Sequence, residues 1–129
     1  MSKDHSEKRR AQRRPILSTF SFFVVAPSKG IHRLAIHDIS TLGIGFDFDS
    51  LGGGEDMSIQ SGDDLEIHLY LNQSLFIPLQ IHVVRAVEGD HVKKIGAEFS
   101  DTSTKSYQAL VTLCEMLDQL DDAAHISGP

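Results

Sequence analysis

A chain of 129 residues, 40% hydrophobic and with a formal net charge of −6, has material for one domain around one core, and no apolar run in it reaches the length of a membrane span. Cys114 is the single cysteine, which excludes an intrachain disulfide and a cysteine-based zinc cluster. The charge is divided unevenly: residues 1–14 hold six basic side chains against two acidic ones, and the other 115 residues hold six against sixteen, so the body repels a nucleic-acid backbone while the N-terminal arm attracts anions.

In chain order, residues 1–14 read as a flexible basic arm carrying Arg9, Arg10, Arg13 and Arg14. A guanidinium is planar, forked and permanently charged, so it bonds a phosphate or a purine edge bidentately and stacks on a base. Arg9 and Arg13, like Arg10 and Arg14, are four residues apart and share a side of the backbone in helical or extended chain. Two of them can close on one anionic ligand. The plainer reading of such a run is a solvated tail.

Pro15 ends any helix in the arm, and the aromatic and β-branched run from Leu17 to Val25 predicts a first strand. A turn at Pro27–Gly30 leads to a second strand over Ile31–Ile39 and a third over Ile44–Phe48. Asp49–Gly62, with three consecutive glycines, is expected to be a long flexible loop; it lacks the Gly-Lys-Ser/Thr of a phosphate cradle. Asp63–Leu71 alternates cleanly, with Leu65, Ile67, Leu69 and Leu71 on one face. Asn72-Gln73 turns the chain into Leu75–Glu88, where Leu75, Ile77, Leu79, Ile81 and Val83 carry the buried parity and Pro78 suits an edge or bulge. Val92–Phe99 completes the strands. Asp101, Thr102 and Ser103 are N-cap candidates for a helix whose stripe of Tyr107, Leu110, Val111, Cys114 and Leu117 is buried as far as Leu117 or Leu120. Strands first and one helix last predict an all-β domain with a C-terminal helix, its antiparallel sheet closed or strongly curled.

Asp38, Ser40 and Gly43 stand out at the end of the second strand. Asp38 and Ser40 are two apart and point the same way in extended chain. A carboxylate accepts the two donors of a guanine Watson-Crick edge, a hydroxyl donates or accepts beside it, and a glycine permits close approach. The alternative is a simple turn, since the same residue types form one. Alternation adds a conflict: Leu34 and Ile36 face inward, and unbroken parity would send Asp38 inward with them. A bulge or the strand's end near His37 is required if Asp38 is to face a ligand.

Arg9-Arg10-Ala11-Gln12-Arg13 followed by Asp38-Ile39-Ser40-Thr41-Leu42-Gly43 resembles the RxxxR and (D/N)xSxxG motifs of the PilZ family of cyclic di-GMP receptors. Ile95-Gly96-Ala97-Glu98-Phe99 looks like that family's closing strand, and the likeness spans about residues 8–118. It implies a six-stranded antiparallel β-barrel of split-barrel type over residues 15–120, with a helix, the arm over residues 1–14 and a polar tail over 121–129. It also implies that Arg9 and Arg13 take phosphates and guanine edges or faces, that Asp38 and Ser40 recognise guanine, and that Gly43 leaves room for it. Arg10 with Arg14 satisfies the same spacing, so both registers stand.

Other chemistries fit less well. His32 and His37 face opposite sides of one strand, while a hairpin centred on Asn72-Gln73 sets His68 near Ile77 and His82 near Asp63, so no metal site is expected. No serine lies in a nucleophile elbow, and Cys114 lies on an apolar helix face. The expectation is a cytoplasmic, non-enzymatic receptor of bacterial type without a cofactor, binding cyclic di-GMP and signalling to a protein partner through ordering of the arm. Its rivals are a PilZ-like adaptor that does not bind the nucleotide, and a basic-tailed RNA or DNA binder.

Overall fold

The computed structural model describes residues 21–30, 33–49, 58–89 and 92–123. Six antiparallel strands, β1 (Phe23–Val25), β2 (Leu34–Ile39), β3 (Gly43–Asp49), β4 (Asp64–Tyr70), β5 (Phe76–Glu88) and β6 (Val92–Phe99), close into a barrel in the order β1-β2-β3-β6-β5-β4. One helix, α1 (Lys105–Ala123), follows. Closure gives each of these strands a neighbour on both sides.

Alternation sets the core. Leu65, Ile67 and Leu69 of β4 and Ile77, Leu79, Ile81 and Val83 of β5 are buried, facing Phe46 of β3 and Ile95 and Phe99 of β6. Leu75 departs from the expected parity: it is more than half exposed, because it precedes β5 in a turn where its amide is bound by Asn72 Oδ1. Pro78 sits opposite His68 in a stretch of β5 that runs past the end of β6, whose pairing starts at Ile81. That stretch is locally an edge, so the missing amide hydrogen is tolerated there.

The helix begins one residue later than the candidate caps. Thr104, not Asp101, Thr102 or Ser103, accepts the Tyr107 amide on its hydroxyl at 3.0 Å. Leu110, Cys114 and Leu117 of the expected stripe are buried and Tyr107 and Leu120 are partly so, whereas Val111 is only half-buried and Leu113, outside the expected stripe, is buried; the helix continues through residues 121–123 of the expected tail. The end of the expected loop is also anchored. Ile59 is fully buried, and the buried Lys93 ties the segment down, its Nζ donating to Ser58 Oγ at 2.8 Å and to the Ile59 carbonyl at 3.1 Å while pairing with Glu88 at 3.2 Å. The Leu17–Phe20 part of the expected first strand, the glycines at 52–54 and residues 124–129 lie outside the described residues.

Two interruptions bear on function. The β2–β3 register shifts between Ile36 and Asp38, and the β5–β6 register shifts between Val83 and Arg85. Each is a β-bulge, which reverses the parity beyond it.

Candidate functional site

The first bulge resolves the parity conflict at Asp38. Leu34 and Ile36 face the core before it, Ile39 takes up the inward direction after it, and Asp38 turns outward. Its Cα partner across the ladder is Gly45, and its carboxylate lies over that glycine: a Cβ built on Gly45 would stand 3.1 Å and 3.2 Å from the two carboxylate oxygens. The missing side chain is what makes the space. The Asp38 carboxylate makes no hydrogen bond or ion pair with any described residue. Burial raises its pKa above the usual carboxylate range, against the opposing pull of His37 and Arg85.

Ser40 and Gly43 hold the turn that follows. The buried Ser40 hydroxyl accepts the amides of Leu42 at 3.1 Å and Gly43 at 3.3 Å, and its own amide donates to the Gly43 carbonyl at 3.0 Å. These bonds form the turn that such residues favour. They use the oxygen's lone pairs and leave its proton uncommitted. Gly43 is packed so closely on β6 that a Cβ would run into the Ala97 carbonyl oxygen, a backbone atom that cannot swing away. The Leu42 carbonyl accepts the Phe99 amide at 3.1 Å, and the Tyr107 hydroxyl donates to the Thr41 carbonyl, so the turn is fastened to both β6 and α1. The Asp-x-Ser-x-x-Gly segment is therefore a rigid corner that presents one carboxylate.

That carboxylate borders an open groove of about 1270 Å³ on the outer face of β2, β3, β6 and β5. Leu42, Val84 and Val87 stand on it 64%, 54% and 49% exposed, apolar surface of the kind a base or an apolar segment would cover. His37 bonds the Asp47 carboxylate, and Lys94 approaches the same carboxylate at 3.7 Å. Sequence reasoning missed Arg85, which lines the groove from β5, and Gly45 and Gly96, which floor it. The signal that could have found Arg85 is parity. Continuing from Ile81 and Val83 it would face inward, where an unpaired charge is not tolerated.

The structure brings together Asp38, Ser40 and Gly43; Arg9, Arg10, Arg13 and Arg14 lie outside the described residues. Two of the described histidines, His68 and His82, stand opposite Pro78 and Asp64, one position from the expected pairing, and each bonds a carboxylate, Glu66 at 2.6 Å and Asp64 at 2.7 Å. Among the described residues no three His, Cys, Asp or Glu side chains gather as metal ligands, and no helix is long and apolar enough to cross a membrane.

The profile of the PilZ domain family matches residues 7–116. Among solved structures, the Bacillus subtilis inhibitor of motility MotI/DgrA matches at 23% identity with a TM-score of 0.59, over 79% of this chain and 48% of its own. Escherichia coli YcgR, solved in complex with c-di-GMP, matches at 15% identity with a TM-score of 0.55, over 76% of this chain and 41% of its own. The present chain thus corresponds to less than half the length of either. No curated protein matches it.

Proposed function

The chain belongs to the PilZ domain family, and from that premise we propose that it is a cyclic di-GMP receptor domain that binds its ligand on the β2–β3–β6–β5 face. The observation that carries this reading is the Asp38 carboxylate, turned outward by a bulge, laid over Gly45 and without a hydrogen-bond partner among the described residues. A partly desolvated acceptor of this kind is matched by a ligand edge with two adjacent N–H donors, as guanine has. In this reading two arginines of the arm, Arg9 with Arg13 or Arg10 with Arg14, take the phosphates and guanine edges or faces, and the Ser40 hydroxyl donates its remaining proton. The arm's composition favours mobility without ligand, and a dianion neutralises arginines that otherwise repel each other, so the arm orders on binding and offers a changed surface to an effector protein. The domain needs no cofactor and catalyses nothing, it works in the cytoplasm, and its acidic body argues against DNA or RNA as the ligand.

Calorimetry with cyclic di-GMP, with GTP and a short single-stranded oligonucleotide as controls, tests the reading. Saturable binding of cyclic di-GMP alone is expected, with slowed hydrogen exchange over residues 5–16 in the complex. Binding of the oligonucleotide in preference to the dinucleotide, or of none of the three, overturns it.

A further inference from the structure

The second bulge does to Arg85 what the first does to Asp38. Ile77, Leu79, Ile81 and Val83 alternate inward along β5, Val84 is the extra residue, and beyond it Ala86 packs on the core while Arg85 points out. The strand registers then place four residues in one row across the barrel: Asp38 opposite Gly45, Gly45 opposite Gly96, and Gly96 opposite Arg85. Both inner members of the row are glycines. The carboxylate leans over the first, and the arginine lies over the second, with its Cβ, Nε and Nη2 each 3.9 Å from where a Gly96 Cβ would be.

Opposite charges thus face each other across a floor without side chains, close enough for Arg85 to lower the Asp38 pKa yet without forming an ion pair. Were Arg85 there only to neutralise Asp38, direct contact would be the stable arrangement. Instead two separate backbone irregularities aim one acceptor and one forked donor at the same trough. A planar base entering it meets a carboxylate on one edge and a guanidinium on the next.

We infer that Arg85 is a guanine-reading residue of this site, donating to O6 and N7 of the base whose N1–H and N2–H are accepted by Asp38. The inference rests on the cyclic di-GMP reading above and deepens it: the barrel itself reads the base from two edges, beside the arginines of the arm. An arginine fork on O6 and N7 of guanine is the commonest specific contact between protein and that base. Adenine reverses the pattern, placing an amino group before Arg85 and no N1–H before Asp38, so the pair of residues selects against it twice.

The test is a cycle of two proteins and two ligands: wild type and Arg85→Ala, each titrated with cyclic di-GMP and with its analogue carrying 7-deazaguanine, which keeps N1–H, N2–H and O6 but lacks N7. Arg85→Ala is expected to weaken cyclic di-GMP binding about 5- to 100-fold. The deaza analogue should bind wild type more weakly than the parent and bind Arg85→Ala nearly as well as the parent does. Arg85→Lys, which keeps the charge and loses the fork, should fall between. An Arg85→Ala protein that remains folded and loses the same factor as wild type on removal of N7 overturns the Arg85 role while leaving the receptor reading intact. Failure of wild type to bind cyclic di-GMP overturns both.

Discussion

Two outward faces of the same barrel are built on opposite principles. On β1, β4 and β5 the surface is filled: Phe23 stacks on Tyr70 at 4.9 Å, Tyr70 meets Phe76 at 5.0 Å, Phe76 stacks on His68 at 4.3 Å, and Arg33 lies over Phe23 at 4.6 Å. On β2, β3, β6 and β5 the central side chains are missing, and Asp38 and Arg85 stand over Gly45 and Gly96. Cross-strand pairs are what stabilise a sheet. The aromatic face uses them fully, with its planar groups already occupied by one another. The glycine face forgoes them and leaves the Asp38 carboxylate and the Arg85 guanidinium without an ion pair between them.

The largest effect expected from disturbing this division is at the corner that supports the glycine face. Gly43→Val should cost about 1–3 kcal/mol, because the new side chain meets the Ala97 carbonyl. Thermal unfolding should show a midpoint lowered by roughly 4–8 °C per kcal/mol; an unchanged midpoint would mean that β3 and β6 are not in close contact there. On the filled face, Phe76→Ala removes two ring contacts and should cost roughly 0.5–1.5 kcal/mol. Its affinity for cyclic di-GMP, measured by calorimetry, should not change. A loss of affinity comparable to the loss in the groove variants would erase the distinction between the faces.

Gly96→Ala reverses that pattern. A Cβ there touches only the Arg85 side chain, at ordinary contact distance, so stability should move by less than about 0.5 kcal/mol while affinity falls because the floor is raised. Smallest is the effect of Asp38→Asn on the free protein. Burial holds the Asp38 pKa up, so the folded state binds this proton more tightly than the unfolded chain, whose aspartate titrates near about 3.9. The stability from this group is fully present below the unfolded pKa and is lost as pH rises through the folded value. The ionised carboxylate therefore destabilises the free fold at neutral pH, and Asp38→Asn should give a slightly higher melting midpoint at pH 7, a gain that disappears as pH falls below about 4.

The amount of this that could be read from the chain follows from which residues carry periodic signals. The Asp63–Leu71 alternation and the inward set of Ile77, Leu79, Ile81 and Val83 place β4 and β5 nearly to the residue, and the apolar period places α1. At Asp38 the clash between motif and parity anticipates the bulge found there. At Arg85 the same clash was present in Val83-Val84-Arg85 without a motif to draw attention to it, so the second half of the groove went unseen. Ile59 was hidden differently: scattered apolar residues in a glycine-rich polar stretch sustain no period, and only the fold shows that Ile59 reaches the core. The joining of Asp38, Gly45, Gly96 and Arg85 into one row depends on strand order β2-β3-β6-β5, which local pattern does not encode.

The most direct measurement is the titration of cyclic di-GMP into wild type and Asp38→Ala at one fixed ionic strength. Removing a negative charge strengthens any purely electrostatic attraction of an anion, so a loose basic tail predicts equal or tighter binding by the variant. Recognition of guanine by the carboxylate predicts the opposite, a loss of about 10- to 100-fold from hydrogen bonds to a charged group. Weaker binding by Asp38→Ala is the result expected here; binding as tight as wild type, or tighter, would contradict the account.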